Sequence, residues 1–244
     1  LERELPGSRI LDVVRHGKFF LLRLARNGAA QPGGSLLVHL GMTGLLTPCD
    51  PREPAPLHTH VFMPLDDGRE LRYTDARRFG RMAYVPEPQL PALLSPFGLE
   101  PTEMSLDEFR NKFCSRRAMV KALLLNQQVL RGVGNIYADE SLWRARIHPM
   151  RLAAGLAPRQ ARALHRSIQR VLAAAIKLGG SSITNFRNVD GDFGEFQLRH
   201  RAYGREGKPC LRCGTKIRRA VIATRSSFFC PRCQPAPRKK RKSV

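Results

Sequence analysis

Residues 209–233 read PCLRCGTKIRRAVIATRSSFFCPRC, and the two Cys-x-x-Cys pairs in this stretch decide more of the architecture than any other part of the chain. Cys210 and Cys213 are followed, after sixteen residues, by Cys230 and Cys233. Two intervening residues let both sulfurs of a pair face one ion. Four thiolates suit a single zinc in a closed, structural site with no position left for water. The segment between the pairs, GTKIRRAVIATRSSFF, reads as a β-hairpin that returns the second pair to the first. Redox use of such pairs wants a βαβ setting, which the flanking sequence does not offer. Lys216, Arg218, Arg219 and Arg225 give the module a basic face. Cys49 and Cys114 have no partner in sequence and read as packing residues.

Upstream, the hydrophobic period divides the chain. From Arg9 to about Val85 the runs ILDVVRHGKFFLLRL, SLLVHLGMTGLL, HTHVFMPL and RELRYTDARRFGRMAYV are β-rich, with turn signals between them, which predicts an antiparallel sandwich or barrel. PEPQLPALLSPFGLEPTEM (86–104) is Pro-rich and reads as a linker. SLDEFRNKFC, MVKALLLNQQVL, NIYADESLWRARI and APRQARALHRSIQRVLAAAIKLG then read as helices, the last ending on the C-cap signal Gly179-Gly180. The fold class is therefore multidomain α+β. Its expected parts are a β domain over 1–90, a linker over 91–104, a helical domain with a Gly- and Asn-rich loop over 105–204, a zinc hairpin over 205–234 and a basic tail over 235–244.

Charge points to the partner. Lys and Arg number 42 against 20 Asp and Glu, a formal net charge of +22 over 244 residues. A field of that size attracts polyanions, nucleic acid first. No apolar run reaches the roughly 18 residues a membrane span needs. In GVGN (132–135) two glycines permit a tight turn, and Asn135 reads as the N-cap of the next helix. The uncovered amides of that helix could hold a phosphate, or the turn could simply cap a helical hairpin. Arg116, Arg117, Lys121 and Arg131 upstream favour backbone contact. Asp139 and Glu140 read as first-turn acids that suit the helix dipole, with a catalytic role as the alternative.

Five motifs occur in order: HLGMTG (39–44), RYTDARRFG (72–80), GVGNIYADESLWRARIHP (132–149), AYGREGKPCLRCGT (202–215) and RSSFFCPRC (225–233). Together they resemble the bacterial formamidopyrimidine-DNA glycosylase family, the 8-oxoguanine repair enzymes, over nearly the whole chain. The resemblance implies a β-sandwich, a helix–two-turns–helix domain and a zinc β-hairpin, with double-stranded DNA in the cleft between them and the protein acting as a monomer. It implies eversion of the damaged nucleotide, cleavage of the glycosidic bond and strand nicking by β- and δ-elimination.

Residue by residue, the resemblance makes Lys18 a proton donor and phosphate contact, where pattern alone reads it as a strand-surface lysine. Met42, Arg77 and Phe79 match the three residues that fill the gap left by the everted base. By pattern alone Met42 and Phe79 read as core. His58 matches a DNA-contacting histidine, and metal binding by His58 and His60 lacks further ligands. Arg116, Lys121, Asn135 and Tyr137 match DNA- and phosphate-contacting positions. Arg225 matches an arginine assigned both a lesion-phosphate contact and proton donation. Arginine's high pKa favours the first. The loop TNFRNVDGDFGEFQLRHRAYG (184–204), with Gly191 and Gly194, matches a lid over an everted purine. Met42 and the Arg77-Arg78 pair favour purine lesions over the oxidised pyrimidines of the endonuclease-eight branch. PRKKRK reads as a basic tail or a nuclear-import signal, and the setting is otherwise the bacterial cytoplasm with its nucleoid. The family's nucleophile is an N-terminal proline beside a glutamate. LERELPGSRI (1–10) lines up further into the family's chain, so the expectation is a chain truncated at its front that grips damaged DNA better than it cuts it.

Overall fold

A computed structural model describes residues 1–26, 28–181 and 194–237. Two compact units emerge, one holding Leu1–Pro96 and the other Phe97–Gly180 with the chain from Glu195. Residues 184–193 of the proposed lid loop and 238–244 of the basic tail lie outside the described residues.

The first unit is a two-sheet antiparallel sandwich. Strands β1 (Arg9–His16), β2 (Phe19–Ala25), β3 (Gly34–His39) and β7 (Arg81–Pro86) form one sheet in the order β1-β2-β3-β7. Strands β4 (Leu45–Cys49), β6 (Glu70–Thr74) and β5 (Thr59–Pro64) form the other in the order β4-β6-β5. Alternation works as a half-buried strand requires. Leu22, Leu24, Leu36 and Val38 from the first sheet and Tyr73 from the second make one core cluster. Leu21 and Val85, on the opposite face, pack on Leu90. The stretch read as a linker is thus part of the unit: Leu90–Leu94 forms the short helix α1, with Leu90 buried. Its proline, Pro91, stands in the first turn, where the missing amide costs nothing.

The second unit is helical. Helix α2 (Leu106–Phe109) opens on a capping box between Ser105 and Glu108 and continues as a π-turn over Arg110–Cys114. Helix α3 (Val120–Leu125) stops earlier than its apolar run, because Asn126 leaves the helical region at ψ 108°. Helices α4 (Asn135–Ala145) and α5 (Pro158–Lys177) follow. Gly179 and Gly180 close α5 with positive φ, and the Gly180 amide donates to the Ala175 carbonyl at 2.8 Å. The core joins Phe109, Phe113, Leu124, Leu130, Leu142, Leu164 and Ile168. Strands β8 (Arg218–Ile222) and β9 (Arg225–Phe229) make the cysteine-flanked hairpin. That hairpin belongs to the same compact unit as the helices, not to a detached module. Gln234 shows why: its side-chain amide donates to the Ile147 carbonyl and its Oε1 accepts from the Cys230 amide, both at 2.9 Å.

Candidate nucleic-acid interface

In the sandwich unit, Met42, Arg77 and Phe79 come together on two neighbouring loops. Met42 is 66 % exposed and Phe79 55 %, so neither is the core residue that pattern alone suggests. The Arg77 guanidinium lies between them, Nη1 3.3 Å from Met42 Sδ and Cζ 4.7 Å from the centre of the Phe79 ring. Two bare apolar side chains and a cation on one rim have the chemistry of a wedge for a base stack.

What holds that rim is Asp75, which sequence reasoning did not single out. Its carboxylate is buried and accepts from the Gly80 amide at 2.7 Å, the Arg77 amide at 3.3 Å, the Tyr73 hydroxyl at 3.3 Å and the Thr43 hydroxyl at 2.5 Å. Burial pushes this carboxyl up, but the hydrogen bonds from Thr43, Gly80, Arg77 and Tyr73 outweigh it and hold it below the usual carboxylate range. The Tyr73 phenol is pushed up to about 12 by burial, with Asp75 adding to it. Glycine at position 80 is dictated by this closeness: a Cβ there would lie 1.6 Å from the Tyr73 hydroxyl oxygen. The loop opposite is held at Gly41, whose φ is +65° and whose amide donates to His39 Nδ1 at 3.0 Å. Burial, then the charges of Lys18 and Arg81, lower the His39 pKa, so the ring stays neutral and free to accept.

Lys18 is exposed, and it sits in the two-residue turn between β1 and β2 rather than on a strand face. Gly17 takes the positive φ, +63°, that the first turn position needs. His58 is exposed with φ +68°, and its carbonyl accepts from the Asp75 amide at 3.0 Å. Arg78, on the other side of Asp75, also has positive φ, +55°. Such non-glycine outliers cost of order 1–3 kcal/mol each and cluster where function over-determines the backbone.

In the helical unit, the start of α4 differs from the simple cap expected. Gly134, not Asn135, is the N-cap, and no side chain caps the helix. Asn135 Nδ2 instead donates to the Ser226 carbonyl of the zinc hairpin at 3.0 Å. The Ser226 hydroxyl in turn accepts from Arg219 Nε at 3.0 Å and Nη2 at 2.9 Å. The GVGN turn and the basic hairpin face are therefore one surface, a helix start with no side-chain cap beside arginines, which is a phosphate-binding arrangement.

Lys121 is not on that surface. Its side chain is wholly buried and ion-paired with Asp139, and its Nζ also donates to the Asn135 carbonyl at 3.4 Å. An ammonium with no exposed area cannot reach a phosphate, so Lys121 positions the α4 start instead. Asp139 and Glu140 lie beyond the first turn and are structural as well. Asp139 Oδ2 accepts from the Phe228 amide at 3.1 Å, and Glu140 accepts from the amides of Arg201, Ala202 and Tyr203 at 2.9–3.0 Å. Burial pushes the Asp139 carboxyl up to about 6 despite Lys121. Tyr137, in the first turn of α4, meets Phe196 edge-on at 5.6 Å. Arg116 is exposed, its Nε donating to the Lys112 carbonyl at 3.0 Å.

Among the described residues, one group of His, Cys, Asp or Glu could hold a metal: Cys210, Cys213, Cys230 and Cys233, with all four sulfurs within 4.8 Å of one another. Tetrahedral zinc with bonds of about 2.3 Å sets sulfurs about 3.8 Å apart, so the donor set fits. The Cys233 amide, 3.4 Å from Cys230 Sγ, adds the second-layer hydrogen bond such sites carry. Past the cysteines, β8 and β9 turn through Ala223 and Thr224, both in the left-handed region at φ +50° and +61°, and Arg225 stands exposed beside that tip.

Three family models match: the formamidopyrimidine-DNA glycosylase N-terminal domain over residues 1–82, the formamidopyrimidine-DNA glycosylase H2TH domain over 97–187 and the zinc finger found in FPG and IleRS over 207–236. The formamidopyrimidine-DNA glycosylase of Solibacter usitatus is 43% identical over 234 residues, covering 96% of this chain and 84% of that protein. The chain belongs to the formamidopyrimidine-DNA glycosylase family. The protein of that name from Herpetosiphon aurantiacus is likewise 43% identical, over 94% of this chain and 83% of its own length. Among solved structures, the MutM (Fpg) protein from Thermus thermophilus superposes with a TM-score of 0.83 at 43% identity, covering 95% of this chain and 85% of that one. The Lactococcus lactis Fpg, in complex with DNA containing an abasic site, gives 0.86 at 35% identity, with 96% and 85% covered. The family carries the sandwich, the helix–two-turns–helix domain and a zinc finger, and the four cysteines hold one structural zinc. The N-terminal-domain match takes in residues 1–82 of this chain, and the chain spans 83–85% of the length of these relatives. No helix among the described residues is long and apolar enough to cross a membrane.

Proposed function

We propose that this protein is a base-excision DNA glycosylase that removes oxidised purines, 8-oxoguanine and formamidopyrimidines, from duplex DNA and nicks the strand by β,δ-elimination. The observation that carries this reading is the exposed Met42–Arg77–Phe79 rim fastened by the buried Asp75. A base taken out of a duplex leaves a hole and an unpaired partner. Met42 and Phe79 supply apolar filling, and Arg77 supplies donors to the orphaned base.

Phosphate contacts come from the α4 start at Asn135 and Tyr137, from Arg116, and from Arg225 at the zinc-hairpin tip; they position the strand and carry no sequence information. His58 contacts the backbone from the sandwich unit. Lys18, an exposed amine beside the neutral His39, serves proton transfer in elimination and holds phosphate near the lesion. The zinc keeps the hairpin rigid and takes no part in bond breaking. Relatives bearing the glycosylase name, and a MutM complex with DNA containing carbocyclic 8-oxo-G at a TM-score of 0.85, support the purine branch over the pyrimidine one. The protein works as a monomer in the cytoplasm, on the chromosome.

The test is a labelled duplex carrying 8-oxoguanine opposite cytosine, incubated with the protein with and without borohydride. Strand scission and a trapped covalent adduct are expected. Tight, lesion-selective binding with neither product would leave a damage-binding module in place of an enzyme.

A further inference from the structure

Helix α5 carries a cationic face that neither the fold nor the proposed reaction uses. Its buried face is Ala161, Leu164, Ile168, Val171 and Ala175. Arg159, Arg162, Arg166, Arg170 and Lys177 recur at helical spacing on the other side, and all five are exposed. The helix has no acidic residue, and none of these five side chains forms an ion pair among the described residues.

Such a face works against the helix itself. Like charges at i,i+4 repel, and Arg159 and Arg162 stand at the N-terminal end, where the helix dipole is already positive. Salt screens a face so arranged in part, and an anionic partner that spans it relieves it fully. From Arg159 to Lys177 the stripe runs about 27 Å, over which duplex DNA presents about sixteen phosphates on its two strands. At its C-terminal end lies a cavity of about 370 Å³ whose wall adds Arg144, Arg199 and Arg201. The one carboxylate in that wall, Glu140, is occupied by three backbone amides.

The stripe also leads away from the α4 phosphate site. The α4 start, Ile136 and Tyr137, packs against Val171 and Ala175, whereas Arg159 and Arg162 lie about 15–20 Å further back along α5.

We infer that the outer face of α5 is a second, lesion-independent binding surface for the phosphate backbone of duplex DNA, separate from the interface that reads damage. The inference rests on the proposed DNA-repair function only in assuming that the first duplex is held elsewhere on the chain. Through this surface one molecule holds an undamaged segment while the residues that read damage engage another.

The experiment compares the full chain with Arg159→Gln/Arg162→Gln/Arg166→Gln. Glutamine keeps helix propensity and removes the repulsion, so the variant folds at least as well, which thermal melting checks. Two short intact duplexes with donor and acceptor fluorophores are mixed with each protein. Energy transfer between duplexes is expected with the wild type and not with the variant. Against one intact duplex, the slope of log affinity on log salt is expected to fall by about 2–3 in the variant, about 0.9 for each lost phosphate contact. Affinity for an abasic-site duplex in a one-to-one mixture should stay within about twofold, because that contact lies elsewhere. No energy transfer with the wild type, or an unchanged slope in the variant, overturns the inference. So does tighter binding of the stripe to single-stranded RNA or to anionic phosphatidylglycerol vesicles than to duplex at equal salt. Loss of lesion cleavage alone, with energy transfer intact, would count against the proposed enzyme and not against the second surface.

Discussion

Replacing Lys121 with Met should destabilise the protein by about 2 kcal/mol near pH 7.5, because it strands Asp139 as an unpaired buried charge. The ceiling follows from the structure. The variant can always escape the buried charge by protonating Asp139. From the folded value of about 6 that costs about 2 kcal/mol near pH 7.5 and almost nothing near pH 5, at 1.36 kcal/mol per unit. The direction is fixed. Burial already raises Asp139 to about 6 in the folded protein, and losing Lys121 raises it further. The native variant thus holds a proton more firmly than the unfolded chain does. Its stability therefore falls as pH climbs from 3.8 through the folded value. Thermal and urea unfolding at the two pH values read the effect. A melting temperature lowered by about 4–8 °C is expected near pH 7.5, and by no more than about 1 °C near pH 5. Lys121→Met/Asp139→Asn, which keeps an acceptor for the Phe228 amide, should restore more than half of the loss. The salt slope of DNA binding should not change, since the ammonium has no exposed area. A loss below about 1 kcal/mol, or one equal at both pH values, would refute the assignment of Lys121 as a buried tie.

Asp75→Asn should cost about 1.5–3 kcal/mol and blunt discrimination of the base opposite the lesion, because four donors lose a charged acceptor. Since its folded pKa is depressed, the wild type's Asp75 contribution is present above 3.8 and lost as pH falls through the lower folded value; opposite-base preference unchanged in the variant would argue against the role. Stripping zinc with a chelator should unfold the hairpin and abolish tight DNA binding, because Ser226 and Phe228 anchor the α4 start; fluorescence anisotropy unchanged after full metal release would contradict this. Ala223→Asn/Thr224→Gly should stabilise the protein by about 1–2 kcal/mol, as this pair suits a turn whose two central residues have positive φ; an unchanged melting temperature would mean the tip is unstrained.

The parts legible in the sequence were those specified by short-range spacing. The cysteine pairs announced the metal module, and period-2 and period-3.6 patterns separated the sandwich from the helices. Legibility failed where long-range partners decide. Met42 and Phe79 sit in apolar surroundings and look like core. Their exposure is set by Asp75, which fastens Thr43 from 32 residues away. Lys121 looked like one of a basic cluster, and only Asp139, 18 residues on, turns it inward. Asn135 looked like a helix cap until the hairpin carbonyl of Ser226, 91 residues away, claimed its amide. Proline content suggested a linker at 86–104, yet Leu90 finds a pocket beside Leu21 and Val85.

The central claim is that Met42, Arg77 and Phe79 enter the duplex when a damaged base leaves it. The most direct measurement places a fluorescent adenine analogue next to an 8-oxoguanine or a stable abasic site and follows its emission as protein is added. Emission should rise on binding, since unstacking relieves quenching, and the rise should vanish in Met42→Ala/Phe79→Ala while that variant still binds duplex. Saturating, lesion-selective binding by the wild type with no change in emission would contradict the claim.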